Sequence, residues 1–172
     1  MSSNYNPVYL SLGANLRKLA YRDIKSFLDS VKYRISKLGL RTITSSNNWI
    51  TAPIPYSNLP FFINCVVECV ITDKRMNNPH LLLENLKKLE VKLGRKYTKR
   101  NISRVIDIDI IDYKGLVLDE GLILPHPRMH LRKFVLLPLA SINENWTHPK
   151  YKKKINHLTA KIKPEQSVRK KL

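Results

Sequence analysis

In the stretch "RVIDIDIIDY", residues 104–113, apolar and acidic residues alternate with the two-residue period of a β-strand. Ile106, Ile108 and Ile110 fall on one face, and Asp107 and Asp109 fall on the other, with their Cα atoms about 7 Å apart. Carboxylates on such a strand need a cation or hydrogen-bond donors nearby. Paired oxygen donors suit Mg²⁺, which binds a few carboxylates together with substrate phosphates. The alternative is that both aspartates are simply exposed on a half-solvated strand.

The elements before this stretch can be read in the same way. Strand patterns occur in "VYLSLGAN" (8–15), "LRTITSSNNWITAP" (40–53) and "FFINCVVECVIT" (61–72). A first helix is predicted from apolar residues at helical spacing, namely Ile24, Phe27, Leu28, Val31, Ile35 and Leu38. A second helix is predicted to start at Asn77 and Asn78 before Pro79 and to end at Gly94. The order β-α-β-β-α-β predicts an α+β domain in which an antiparallel sheet carries two helices on one face.

Smaller additions are expected after this unit. "YKGLVLDEGL" (113–122) predicts a hairpin, "LPHPRMH" (124–130) a turn, and "FVLLPLASI" (134–142) a short apolar segment. We assign residues 1–149 to the main domain and residues 150–172 to a basic C-terminal extension, solvated and in part helical around residues 155–162.

The net charge of +18 predicts polyanionic partners. The extension carries 9 of the 31 Lys and Arg residues and one of the 13 acids, so the main domain is basic as well. Together with the β-α-β-β-α-β order, this charge keeps an RNA-binding module as an alternative function, although the aromatic-rich strand of RNA-recognition domains is missing.

The cysteines and the N-terminus indicate a reducing compartment. Cys65 and Cys69 lie four residues apart in a predicted strand, which separates their Cα atoms by about 13 Å, too far for a disulfide. No signal-like start and no apolar run of about 18 residues is present. We expect a cytoplasmic protein.

The basic loop "GRKYTKRNISR", residues 94–104, precedes the paired aspartates. Arg95, Arg100 and Arg104 could clamp an anion beside a metal, which is the arrangement that phosphoryl transfer requires. The alternative is a solvated basic run. The five glycines form neither a P-loop nor a dinucleotide-binding motif, so any nucleotide site must be of another type.

A second candidate site lies in "LPFFINCVV", residues 59–67. Alternation places Phe62 and Asn64 on the same face as Val66. An aromatic ring beside an amide suits a flat heterocycle with donors and acceptors on its edges. The alternative is a core phenylalanine beside an internally bonded asparagine.

Taken in order, these motifs resemble the 6-hydroxymethyl-7,8-dihydropterin pyrophosphokinase family. The matching stretches cover about 130 residues: "LSLGANL" (10–16), "TAP" (51–53), "FFIN" (61–64), "LLLENLKKLEVKLGR" (81–95), "RVIDIDIIDY" (104–113) and "LILPHPRMHLRKFVLLPL" (122–139). The resemblance implies a ferredoxin-like α+β sandwich and an ATP-dependent kinase of folate biosynthesis. This enzyme would transfer pyrophosphate from MgATP to the hydroxymethyl group of the pterin and release AMP.

The resemblance also implies the residues of the site. Asp107 and Asp109 would hold two Mg²⁺ ions and, with Arg95 and Arg100, form the catalytic group. The expected ATP-binding residues are Glu90, Arg95, Arg100, Arg104, Ile110, His126 and Arg132. The expected pterin-binding residues are Thr51, Pro53, Ile54, Phe62, Asn64 and Phe134, with the pterin ring between the two phenylalanines. The partners would thus be ATP and the pterin, with no membrane, no specific nucleic acid and a monomeric chain.

The basic loop departs from the family pattern. Tyr97 stands where the family often places a second arginine, and "NISR" (101–104) replaces "WGPR", with Asn101 in place of the tryptophan. Because that loop closes over both substrates in the family, we expect an active but slow enzyme. An inactive pseudoenzyme of the same fold is the alternative.

Overall fold

An antiparallel sheet forms the centre of the molecule. The computed structural model describes residues 6–15, 21–52, 61–95, 105–162, 166 and 168–171. The strands are β1 (Val8–Ala14), β2 (Leu40–Ser45), β3 (Asn48–Thr51), β4 (Phe62–Ile71), β5 (Asp107–Tyr113) and β6 (Val168–Lys171). The helices are α1 (Tyr21–Lys37), α2 (Pro79–Lys92), α3 (Lys133–Ile142) and α4 (Ile155–Ala160). The strand order is β5-β1-β4-β3-β6, with β2 also paired to β4.

The segment predicted as one strand over residues 40–53 is divided into β2 and β3. Both pair with β4, β2 along its C-terminal half and β3 along its N-terminal half. Ser46 lies at the division and forms two hydrogen bonds with Val66. The Ser46 backbone N–H donates to the Val66 carbonyl oxygen (2.9 Å), and the Val66 backbone N–H donates to the Ser46 hydroxyl oxygen (3.0 Å). The division therefore leaves the segment attached to β4.

Helices α1 and α2 cover one face of the sheet, as the sequence predicts. Leu28 and Val31 of α1 and Leu86 of α2 are fully buried against Leu12 and Ile108 of the sheet. The start of α2 is fixed by the Asn78 side chain, whose Oδ1 accepts hydrogen bonds from the first free N–H groups of the helix. The predicted α+β fold is confirmed.

A second, smaller core lies on the opposite face. Val135 and Leu136 of α3 pack there with Ile155 and Leu158 of α4 against Tyr9 and other residues of the sheet. The packed unit thus continues into the segment predicted as a basic extension, because two apolar side chains of that segment are buried. Helices α3 and α4 pack with Tyr9, near the start of β1, whereas Asp109 and Asp107 pair further along the same strand, with Ser11 and Gly13.

The structure tests two smaller predictions, the hairpin after β5 and the absence of a disulfide. The predicted hairpin over residues 113–122 is reduced to a turn at residues 114–115 and one antiparallel bridge between Leu118 and Leu124. Cys65 and Cys69 are both buried and free. In the part of the chain that the structure describes, no helix combines the length and apolarity needed to cross a bilayer.

Candidate active site

Strand β1 brings the two predicted sites together. Gly13 pairs with Asn64 of β4 on one side and with Asp107 of β5 on the other, and Ser11 pairs with Asp109. Since cross-strand partners project from the same face, the asparagine and the aspartates share one face, with the glycine between them. A Cβ atom at position 13 would lie 2.8 Å from Asn64 Oδ1. The sequence reasoning missed this glycine, because only the register of three strands reveals its position.

Asn64 and Thr51 form a buried polar pair. The Asn64 Nδ2 group donates to Thr51 Oγ1 at 2.8 Å, and both residues are less than 5% exposed. The bond fixes the orientation of the amide. Phe62, which pairs with Thr51 across the strands, is half-buried. Pro53 and Ile54 lie outside the described residues.

Arg95 connects Asp107 to helix α2. Its Nη1 atom lies 2.6 Å from Asp107 Oδ1 and 2.7 Å from Glu90 Oε2. Glu90 is fully buried, and its Oε1 accepts from the backbone N–H of Ile108 at 2.6 Å. Glu90, which was predicted to bind the nucleotide, is thus a buried residue that holds Arg95 and strand β5 in place.

Asp109 faces two further predicted residues. His126 Nε2 lies 3.8 Å and Arg132 Nη1 lies 3.7 Å from Asp109 Oδ2. Burial lowers the pKa of His126, against the opposing attraction of Asp109 and with added repulsion from Arg132. His126 Nδ1 accepts a hydrogen bond from the Arg128 amide at 3.1 Å, which places the proton of the neutral ring on Nε2, toward Asp109.

Lys87 is a site residue that the sequence reasoning missed. Its ammonium lies 3.0 Å from Glu90 Oε1 and 3.2 Å from the Ile108 carbonyl oxygen. It also lies 4.0 Å from Asp107 Oδ1 and 3.8 Å from Asp109 Oδ1. Strand β5 is at the end of the described sheet order, so Lys87 and Glu90 satisfy backbone groups of its open edge. The spacing of these two residues on α2 was the available signal, since positions i and i+3 share a helix face.

A cavity of about 450 Å³ opens beside Asp109. Its walls are mainly apolar and include Leu83, Ile110, Leu122 and Ile123, with His80 and His126 among the polar residues. A mainly apolar cavity with a few polar residues suits a flat base, and Arg132, which lies 3.7 Å from Asp109, is a cation near it. Ile110, predicted on the nucleotide side, is one of its lining residues.

Of the remaining predicted site residues, Phe134 lies away from Phe62, and the others are not among the residues that the structure describes. Phe134 is half-buried in the first turn of α3, and the Arg132 guanidinium lies 5.5 Å from its ring centroid. Among the described rings, Phe134 and Phe62 make no stacking contact with each other. Arg100 and Arg104, together with the departures at Tyr97 and Asn101, lie outside the described residues.

An α+β fold that brings paired carboxylates, neighbouring cations and an apolar cavity together has the arrangement expected of a phosphotransferase. The model of the family described as 7,8-dihydro-6-hydroxymethylpterin-pyrophosphokinase (HPPK) matches residues 9–144. The chain belongs to this family, which confirms the resemblance drawn from its motifs. The family is described as a pyrophosphokinase of a hydroxymethylpterin.

Individual relatives agree with the family. The folic acid synthesis protein FOL1 of Dictyostelium discoideum is 39% identical over 147 residues, which are 84% of this chain and 20% of that protein. The 2-amino-4-hydroxy-6-hydroxymethyldihydropteridine pyrophosphokinase of Methylorubrum extorquens is 36% identical over 135 residues, 78% of this chain and 80% of that protein. The chain thus spans about a fifth of the first relative and most of the second. Neither relative supports the RNA-binding alternative.

A solved structure shares the fold. A crystal structure of HPPK-DHPS in complex with substrates matches 90% of this chain and 43% of that chain, with a TM-score of 0.68 and 16% sequence identity. At this identity the match concerns the fold alone.

Proposed function

We propose that this chain transfers pyrophosphate from MgATP to the hydroxymethyl group of 6-hydroxymethyl-7,8-dihydropterin and releases AMP. One observation carries the proposal: Asn64 and the two aspartates lie on the same face of the sheet, on either side of Gly13. A heterocycle bound at Asn64 would therefore lie next to phosphates bound at Asp107 and Asp109.

The aspartates would hold the metal. Their donor chemistry fits Mg²⁺, because both are partly exposed carboxylates, with 25% and 28% of the side-chain surface accessible, that project from one face. The described residues contain no group of three or more protein ligands, so phosphates and water would complete the coordination. We propose two Mg²⁺ ions, which when bound would neutralise phosphate charge and polarise the phosphorus under attack.

The cations around the aspartates would bind the phosphates. Arg95 is held by Glu90 and is only 12% exposed, so its guanidinium is positioned before the nucleotide binds. Arg132 and His126 lie 3.7 and 3.8 Å from Oδ2 of the other aspartate, Asp109. Arg100 and Arg104 are proposed for the same role on the basis of their motif. The base would occupy the cavity lined by Ile110.

The pterin would bind at the buried polar pair. Asn64 and Thr51 offer an amide and a hydroxyl whose orientations are fixed by their mutual bond. Phe62 and Phe134 are proposed to contact the ring faces, and the backbone at Pro53 and Ile54 to contact its edge. Fixed polar groups favour a ligand with matching donors and acceptors, since unmatched ones would stay desolvated and unpaired.

An AMP-release assay tests the proposal. AMP should form from MgATP only when the reduced pterin alcohol is present, and Asp107→Asn or Asp109→Asn should lower turnover by about two orders of magnitude or more. Asp119→Asn is the matched control, because Asp119 is an exposed carboxylate paired with Lys150. Release of ADP, or wild-type turnover in both aspartate variants, would show that the proposed reaction is wrong.

Three further expectations stay predictions. A cytoplasmic location can be checked by fractionation of cells that make the protein, and the monomeric state by light scattering of the purified chain. Slow turnover caused by Tyr97 and Asn101 can be checked with the substitutions Tyr97→Arg and Asn101→Trp, which should raise kcat.

A further inference from the structure

The ammonium of Lys87 is a fixed charge beside the two aspartates. Glu90 Oε1 and the Ile108 carbonyl oxygen hold it at 3.0 and 3.2 Å, within hydrogen-bond distance. The aspartate oxygens lie further away, at 3.8 and 4.0 Å, so Lys87 acts on them through space. One third of its side-chain surface is exposed. The lysine is therefore anchored independently of the carboxylates whose charge it offsets.

This arrangement affects any cation that approaches the aspartates. Without a metal, Lys87 stabilises two neighbouring like charges. A divalent cation bound to the same carboxylates would lie within a few ångströms of the ammonium and be repelled by it. Nucleotide phosphates arriving with the metal would bring negative charge that offsets this repulsion and is itself attracted to the lysine.

We propose that Lys87 weakens the binding of a divalent metal to the site when no nucleotide is bound, and so couples metal binding to nucleotide binding. The inference rests on the proposed function, because it takes Asp107 and Asp109 as the metal ligands. Lys87 is a positioning residue in this scheme, since its charge acts on the metal site and the incoming phosphates and not on the reacting atoms.

The test measures the affinity of the full chain for Mn²⁺ alone, by titration calorimetry without nucleotide. Lys87→Gln should bind Mn²⁺ about tenfold more tightly than wild type, because one unit charge about 4 Å from each carboxylate is removed. Lys87→Arg keeps the charge and should resemble wild type. The difference between Lys87→Gln and wild type should shrink when a non-hydrolysable ATP analogue saturates the protein.

Lys88→Gln is the matched control. Lys88 is the next residue of α2, is 64% exposed and pairs with Glu84 on the surface, so its loss changes the net charge equally without changing the site. It should bind Mn²⁺ as wild type does. Tightening in both lysine variants would show a general charge effect and overturn the proposal, as would unchanged or weaker Mn²⁺ binding in Lys87→Gln.

Asp109→Asn separates this inference from the proposed function. If the aspartate is a ligand, Mn²⁺ binding weakens in this variant in both the wild-type and the Lys87→Gln background. Unchanged Mn²⁺ binding in Asp109→Asn would contradict the metal site itself. Loss of binding there, with no effect of Lys87→Gln, would overturn the role of Lys87 alone.

Discussion

Replacing Gly13 with alanine should damage the proposed pterin side of the site while leaving the proposed nucleotide side intact. The added Cβ would lie 2.8 Å from Asn64 Oδ1, closer than a Cβ atom and an oxygen normally approach. The Asn64 side chain is 4% exposed and held by its 2.8 Å bond to Thr51, so it has little room to move away. Overpacking in such a position costs about 1–3 kcal/mol.

The size of the effect depends on how the Asn64 amide moves to make room for the added Cβ. If the amide shifts by a few tenths of an ångström, the bond to Thr51 lengthens, and a hydrogen bond of this kind contributes about 1 kcal/mol. The same shift misplaces the groups that would contact the pterin. We expect the dissociation constant of the pterin to rise by about 10- to 100-fold, with the affinity for MgATP within about twofold of wild type.

Fluorescence titration with the pterin, in the presence of a non-hydrolysable ATP analogue, measures this effect, and urea unfolding checks that the variant is folded. The control is a double-mutant cycle with Asn64→Ser, whose shorter side chain removes the close contact. Gly13→Ala should then cost less in the serine background than in wild type. Wild-type pterin affinity in Gly13→Ala, or an equal cost in both backgrounds, would refute the reasoning.

Two predictions concern stability. Glu90→Ala should lower the free energy of unfolding by about 3 kcal/mol or more, because it leaves the buried Ile108 amide without its acceptor and removes the shared carboxylate partner of Arg95 and Lys87. Urea denaturation measures this loss. Glu84→Ala on the exposed side of α2 should change the free energy of unfolding by less than about 0.5 kcal/mol, and equal losses would contradict the buried network. Burial lowers the pKa of His148 from 6.5 to about 4, so between these values the unfolded chain binds a proton that the folded chain does not, and stability should fall as the pH falls. Thermal unfolding at a series of pH values should show a shallower decline in His148→Gln, and parallel curves would count against this assignment.

Much of the fold could be predicted because the local pattern reports which face of an element is buried. The alternation in β4 and β5 correctly placed Asn64 and the aspartates opposite the main core, and Asn78 and Gly94 correctly marked the ends of α2. The division between β2 and β3 was missed, although the Ser and Asn residues at 45–48 are of the types that interrupt a strand, because the Thr and Ile residues on both sides of them favour a strand. The burial of α4 was missed, because a few apolar residues among many lysines give no sign of the core that they meet.

Local sequence patterns are sufficient for most of the elements, for the buried faces of the main core and for the motifs that place the chain in its family, since each depends on residues close together along the chain. Which groups meet at the site depends on the tertiary structure. Gly13 lies between Asn64 and Asp107 because β1 is paired on both sides, and Lys87 reaches both aspartates because α2 lies along the open edge of β5. Such contacts join residues distant in sequence, and they depend on strand register and helix placement, which no local pattern encodes.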